Sequence, residues 1–207
     1  MTLAPEQLHG RLARRNTTVG TSPYDVVDWE IRDARLVDHR DGSVAFEQLG
    51  VEFPADWSVT ASNIVAQKYF RGGAANGGRE RSLRHVIDRV VGAITEWGIR
   101  DGYFADADEA ATFADELRFL LVNQYVSFNS PVWFNIGVPG VAQQASACFI
   151  LDVEDELRSI LNWYVEEGVI FKGGSGAGAN LSKIRSAKEQ LSSGGVPSGP
   201  VSLLRGA

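Results

Sequence analysis

Apolar and polar positions along this chain change period more than once, and each change marks a change of architecture. From Trp29 the sequence reads as extended: "WEIRDARLVDH" and "DGSVAFEQLGVEF" are β-rich runs, and Asp41-Gly42 between them signals a hairpin. A helical period then takes over, and "TASNIVAQKYF" predicts a helix capped by Thr60. Past a glycine-rich loop from Gly72 to Gly78, a second helix is predicted from Ser82. It carries Leu83, Val86, Ile87, Val90, Ile94 and Trp97 on one stripe. A third helix, over about residues 107–126, aligns Phe113, Leu117, Leu120, Leu121 and Tyr125.

The pattern changes again after Ser127. "SFNSPVWFNIGVPG" is aromatic and proline-bearing and is expected to be loop. "ACFILDV" has the length and branched content of a short buried strand. Asp152 is placed to cap a helix whose stripe is Val153, Leu157, Ile160, Leu161, Tyr164 and Val165. "KGGSGAGANLSKIRS" follows as a glycine loop leading into a strand, and "GGVPSGPVSLLRGA" begins a further helix. Strand, helix, glycine loop and strand in succession open a parallel α/β system, which needs more strands than this chain supplies.

Composition narrows the partners. With 207 residues, 44% hydrophobic and 22% charged, the chain suits one or two globular cores. A net charge of −6 gives no global positive field, so no nucleic-acid partner is expected. The most basic stretch, Lys68 to Arg89, places Arg84 and Arg89 at amphipathic spacing, which reads as a solvated helix face. A single cysteine rules out an internal disulfide and fits a reducing compartment. No apolar run approaches 18 residues and the start lacks a signal-type apolar region, so a soluble, cytoplasmic protein without a membrane partner is expected.

Three places could carry chemistry. Gly174 to Ala179 contains G-x-G-x-x-A, the outline of a dinucleotide fingerprint. A helix is expected before it rather than a strand, and the acidic residue due ~20 positions on is missing. Two readings of the loop stay open: a turn packed on a neighbour, or glycine amides approaching an anion or sugar, flanked by Lys172, Lys183 and Arg185. Asp155, expected in the first turn of its helix, could simply complement the helix dipole, or could accept from ribose hydroxyls. Cys148 could be a small buried hydrophobe, or a thiol at a strand start where polar Gln144 and Ser146 let a site open. His9, His39 and His85 all lie far upstream, so a Cys–His nucleophile has no support, and no metal site is indicated.

Taken together, "FNSPVWFNIG", "QASACFI", "KGGSGAGANLSKIRS" and "GGVPSGPVSLLRGA" resemble the adenosylcobalamin-dependent (class II) ribonucleotide reductases. The chain is similar to the N-terminal part of their large dimeric, diphosphate-reducing form. "GVEFPADWS", "KYFRGG" and "ERSLRHVIDRVV" extend the likeness from about residue 25 to residue 207. Residues 1–23 mix Pro, Arg, Asn, Thr and Gly without periodicity and are expected to form a mobile tail, ahead of a mixed, mostly helical N-terminal domain (24–127). The resemblance implies that 128–207 are the first strands of an incomplete ten-stranded α/β barrel, giving an α/β fold. It implies that Cys148 is one of a pair of reducing thiols rather than the radical carrier. Ser130, Ala147, Cys148 and Gly176 would line the substrate, and Asp155 and Arg185 would hold the sugar and phosphates of an effector.

The resemblance also implies the partners. These are a ribonucleoside diphosphate substrate, a deoxynucleoside triphosphate effector, adenosylcobalamin as cofactor in the complete enzyme, an external dithiol reductant such as thioredoxin, and a second copy in a homodimer. The partner thiol, the thiyl-forming cysteine and most of the cobalamin site lie further on in the family, so the chain alone is expected to be inactive. Two other functions are weighed against this one. A deoxynucleotide-binding fragment without catalysis would rest on Asp155 and Arg185, and a nicotinamide-dependent oxidoreductase would rest on the glycine loop.

Overall fold

The computed structural model describes residues 12–73 and 78–206, which divide into two compact units. The first spans the chain to Phe128 and resumes over Val132–Gln143; the second comprises Asn129–Pro131 and everything from Gln144. The fold is mixed α/β, with six helices and short sheets among the described residues.

In the first unit the two β-rich runs form strands β1 (Trp29–Val37) and β2 (Val44–Pro54), paired antiparallel from Trp29↔Pro54 to Val37↔Val44. Gly42 takes a left-handed φ of 73° in the connecting turn, which a side chain would strain. A shift of register between Arg32 and Ala34 sits where Gly50 donates to the Asp33 carboxylate at 2.8 Å.

Helix α1 (Val59–Lys68) starts earlier than its sequence suggests: the cap is Ser58, whose hydroxyl accepts from the Ala61 amide, and Thr60 lies inside the helix. Its buried face is small and polar. Asn63 accepts from the Arg35 N–H and donates to the Arg35 carbonyl, satisfying both backbone groups of that β1 residue. Short strands β3 (Gly72–Gly73) and β4 (Gly78–Arg79) then pair with each other. The middle of the expected glycine loop, 74–77, lies outside the described residues.

Helix α2 (Leu83–Arg100) is capped by Ser82 and buries Leu83, Val86, Ile87, Val90 and Val91, with Ile94 and Trp97 half-buried. Helix α3 (Ala107–Val122) is capped by Asp106 and ends before Tyr125, which is exposed, because Gln124 turns to a positive φ of 58°. Arg89 is not on a solvated face. It is largely enclosed, with 10% of its side chain exposed, ion-paired to Glu80 at 2.8 Å, and donates to the carbonyls of Ile136, Trp133 and Tyr69, a set that its planar fork of donors satisfies. Arg84 lies over the Trp29 ring at 4.0 Å.

The core of this unit gathers Val51, Phe53, Phe70, Val86, Ile87, Val91, Leu121 and Val122, with the Phe53 and Phe70 rings stacked at 5.6 Å. Complete burial of a residue such as Phe53 is worth about 1.5–3 kcal/mol. Leu12 to Thr17, at the end of the expected tail, run along α3, held by Glu109, Asp115 and Glu116; residues 1–11 lie outside the described residues.

Helix α4 (Ser130–Asn135) replaces the loop expected at "SPVWFN". Pro131 is tolerated because it stands in the first turn, where its missing N–H has no helical partner to lose. In the second unit, β5 (Cys148–Asp152), α5 (Leu157–Lys172) and β6 (Gly176–Asn180) form a βαβ succession with the strands parallel, and α6 (Gly199–Leu204) follows. Asp152 ends β5 and does not cap α5, whose cap position is Glu156. The core here is Val153, Trp163 and Ile184, with Leu151, Ile160 and Tyr164 packed against them. Among the described residues no helix is long and apolar enough to cross a membrane.

Candidate functional site

The thiol sits at the first residue of β5 and is exposed, contrary to the buried strand expected. The alternation of β5 explains this. Phe149 and Leu151 turn inward, while Cys148, Ile150 and Asp152 share the open face. Parallel register pairs Cys148 with Gly176 and Ile150 with Gly178, so the positions beside the thiol on that face carry no side chain. A Cβ built on Gly176 would meet only the Ala147 carbonyl, 3.9 Å away. The chain thus leaves an open slot next to the thiol. The run 176–180 is strand, so the strand–loop–helix order of a dinucleotide fingerprint is absent and the nicotinamide reading loses its basis.

Behind the slot lies a polar clamp. The Gly176 amide donates to the Ala147 carbonyl at 2.8 Å, and the buried Ser175 hydroxyl donates to the Ser146 carbonyl at 2.5 Å. Ser175 in turn accepts from the Gln144 side-chain amide. Sequence reasoning placed Ala147, Cys148 and Gly176, which the fold brings together, but missed Ser175. No local signal in the sequence marks it; in the structure a Cβ at Gly173 would collide with the Gln144 side chain at 2.5–2.6 Å, so glycine there makes room for Gln144. Ser130 opens α4.

Asp155 and Arg185 form a second cluster. They belong past the C-terminal ends of β5 and β6, whereas Cys148 and Gly176 begin those strands. Four residue steps of about 3.3 Å separate the two ends. Asp155 is not in the first turn of α5, which starts at Leu157; its carboxylate pairs with the Arg185 guanidinium at the edge of a cavity of about 250 Å³. Glu156, Ile160, Ile184, Pro197 and Leu203 are among the other residues that line it. Close by, Lys183 bonds Asp152 at 2.5 Å and also Glu154, and these hydrogen bonds raise its pKa above the ordinary lysine value.

Comparison with known proteins agrees along the chain. The family model described as class II vitamin B12-dependent ribonucleotide reductase matches residues 31–124, and the ribonucleotide reductase barrel domain matches residues 146–207. The vitamin B12-dependent ribonucleotide reductase of Streptomyces coelicolor is 58% identical over 197 residues, covering 95% of this chain and 20% of that protein. Its counterpart in Rhodopirellula baltica is 39% identical over 214 residues, covering 90% and 20%. A vitamin B12-dependent ribonucleoside-diphosphate reductase of Mycobacterium tuberculosis is 28% identical over 158 residues, covering 76% and 21%. The chain spans about one fifth of the length of the curated relatives it matches. Two family models in succession, over the strands and helices just described, establish that this chain belongs to the class II vitamin B12-dependent ribonucleotide reductases, corresponding to their N-terminal region.

Proposed function

We propose that the chain is the N-terminal part of a ribonucleoside-diphosphate reductase of the cytoplasm, making deoxyribonucleotides for DNA synthesis or repair, and that Cys148 is one of its two reducing thiols. The observation that carries this reading is the exposed Cys148 in register with Gly176. Replacing the ribose 2′-hydroxyl by hydrogen, with loss of water, needs two electrons and two protons. Two thiols supply both and become a disulfide. Cys148 is the only cysteine here, so the partner thiol, the thiyl-forming cysteine and the pair that re-reduces the disulfide belong to the remainder of the polypeptide. The chain alone is therefore inactive. An external dithiol protein of the thioredoxin class closes the cycle.

The slot over Gly176, with Ala147 beside it, suits a ribose brought edge-on to the thiol, and Ser130 contributes its hydroxyl to the substrate nucleotide. The cofactor of this family is cobalamin. Among the described residues the cavities of about 250, 380 and 570 Å³ are too small for a corrin ring with its nucleotide tail, so none of these three is its seat. The remainder of the polypeptide holds adenosylcobalamin.

Asp155 and Arg185 border the effector cavity. Their pairing is partly exposed and so worth at most about 1 kcal/mol, which leaves Arg185 available to the phosphates of a deoxynucleoside triphosphate and Asp155 to its sugar hydroxyl. The same cavity favours the second reading, in which the chain binds such nucleotides without catalysis. On α5, Leu157, Leu161, Val165 and Val169 repeat every fourth residue and are each more than half exposed, which supports a homodimer built on that face.

The test is Cys148→Ser in the complete polypeptide. Multiple-turnover reduction should fall by three or more orders of magnitude (~4 kcal/mol or more), while cleavage of the cobalt–carbon bond remains measurable. Normal steady-state turnover would remove the reductant role. Arg185→Ala should weaken triphosphate binding and leave basal reduction intact.

A further inference from the structure

We propose that Gln144 and Ser175 are positioning residues for the Cys148 thiol: a side-chain relay that carries the β5–β6 ladder one step beyond its backbone pairs and fixes the direction in which the thiol leaves the strand. The proposal rests on the reductant reading for its purpose, and on the geometry of the clamp for its existence.

The backbone ladder begins at Cys148↔Gly176, so the reactive residue stands at a strand end, where pairing opens most easily. The last backbone bond of that pair runs from the Gly176 amide to the Ala147 carbonyl. The Ser175 hydroxyl adds the next, to the Ser146 carbonyl at 2.5 Å. Because that hydroxyl donates to a carbonyl, it receives from Gln144, whose amide nitrogen faces it and also lies 3.5 Å from the Ile170 carbonyl. The two carbonyls that precede Cys148 are thus both held from residues 175 and 176.

Three features indicate that this relay is built rather than incidental. Ser175 is only 7% exposed, so breaking the relay would strand buried polar groups. Gly173 makes the space that the Gln144 side chain fills. Gly174, with a φ of 80°, reverses the chain between α5 and Ser175. On the open face the thiol has glycine, not a packing side chain, as its cross-strand neighbour. Its direction is consequently set by the backbone, and the backbone there is set by the relay.

Cys148 is the only cysteine, so alkylation by iodoacetamide of the 207-residue chain, held at nanomolar concentration where it does not self-associate, reports this thiol alone. Its rate should be measured against pH for the wild type, Ser175→Ala, Gln144→Ala and Ser175→Thr, with circular dichroism confirming the fold. Loss of the relay frees the strand end. Both alanine variants should therefore alkylate roughly threefold faster or more at every pH, with amide exchange at Cys148 and Phe149 accelerated about tenfold. Ser175→Thr, which keeps the hydroxyl, should restore the wild-type profile. Superimposable profiles for the wild type and both folded alanine variants would overturn the proposal. Should Ser175→Ala fail to fold, Gln144→Ala decides by itself. A shifted profile together with normal turnover of Cys148→Ser would keep the relay and reject the reductant role. An unshifted profile with a dead Cys148→Ser would do the reverse.

Discussion

Glu116 on α3 gathers its hydrogen-bond donors from three consecutive residues of the segment that runs beside it. One carboxylate oxygen accepts from the amides of Arg15, Asn16 and Thr17 and from the Thr17 hydroxyl at 2.7 Å; the other accepts from the Asn16 side chain at 2.8 Å. Burial opposes its ionisation, but the bonds from Thr17, Asn16 and Arg15 outweigh burial and hold its pKa at about 2, below the ordinary 4.5. A carboxylate whose pKa is depressed on folding stabilises the fold above its ordinary pKa, and that contribution fades as pH falls from about 4.5 to about 2. The segment 12–17 should therefore loosen over that acid window, visible as titrating amide shifts of Arg15, Asn16 and Thr17. At neutral pH, Glu116→Ala should speed tryptic cleavage after Arg14 and Arg15 roughly fivefold or more. Unchanged cleavage would mean that Arg14–Asp115 and the Leu12 bond to Glu109 hold the segment without Glu116.

At the scale of the element, α5 shows what a hydrophobic pattern can and cannot choose. Leu157, Ile160, Leu161, Trp163, Tyr164, Val165, Val169, Ile170 and Phe171 leave only a narrow polar arc of Arg158, Ser159, Asn162 and Glu166, so the periodicity predicts a helix without saying which part of its wide apolar side turns inward. Of the expected stripe, Val153 is in the core and Ile160 and Tyr164 pack against it, whereas Leu157, Leu161 and Val165 prove to be outer, and the core also receives Trp163 and Ile170. Trp163→Ala should accordingly lower unfolding free energy by about 3–5 kcal/mol, followed by circular dichroism in urea. Leu161→Ser should change it by less than about 0.5 kcal/mol in the monomeric chain. The reverse order would show that the outer face is the structural one.

By contrast the start of α2 and most of its buried stripe were legible, because Ser82 caps it and its stripe is narrow, although Val91 and the enclosed Arg89 were not. α4 was not. A six-residue helix cannot form on propensity, and this one exists because Val132 and Ile136 bury themselves against Val90. The site divides the same way. Cys148, Gly176, Asp155 and Arg185 came from motif resemblance, whereas the Gln144–Ser175 bond joins residues 31 apart that no local period connects.

The whole molecule combines two units of unequal completeness. The first closes its hairpin and three long helices around a core that includes Val51, Phe53, Phe70, Ile87 and Val122. The second buries only Val153, Trp163 and Ile184 in its cluster, and it presents a parallel pair of strands with no further strand on either outer edge among the described residues. Ile150, on the open face of that pair, is 83% exposed, and the outer stripe of α5 forms a second exposed apolar surface. Parallel strands are stable when both faces and both edges are covered, and uncovered edges invite association. The 207-residue chain by itself should therefore unfold in two steps in urea, the second unit first, and should bind anilinonaphthalene sulfonate and self-associate at micromolar concentration. Extending it with the strands that follow the matched barrel region in its relatives should abolish the dye binding and merge the two transitions. Persistent dye binding in the extended polypeptide would mean that the exposed faces of β5 and α5 are meant for another partner, and the second-copy interface proposed on α5 would become the first place to look.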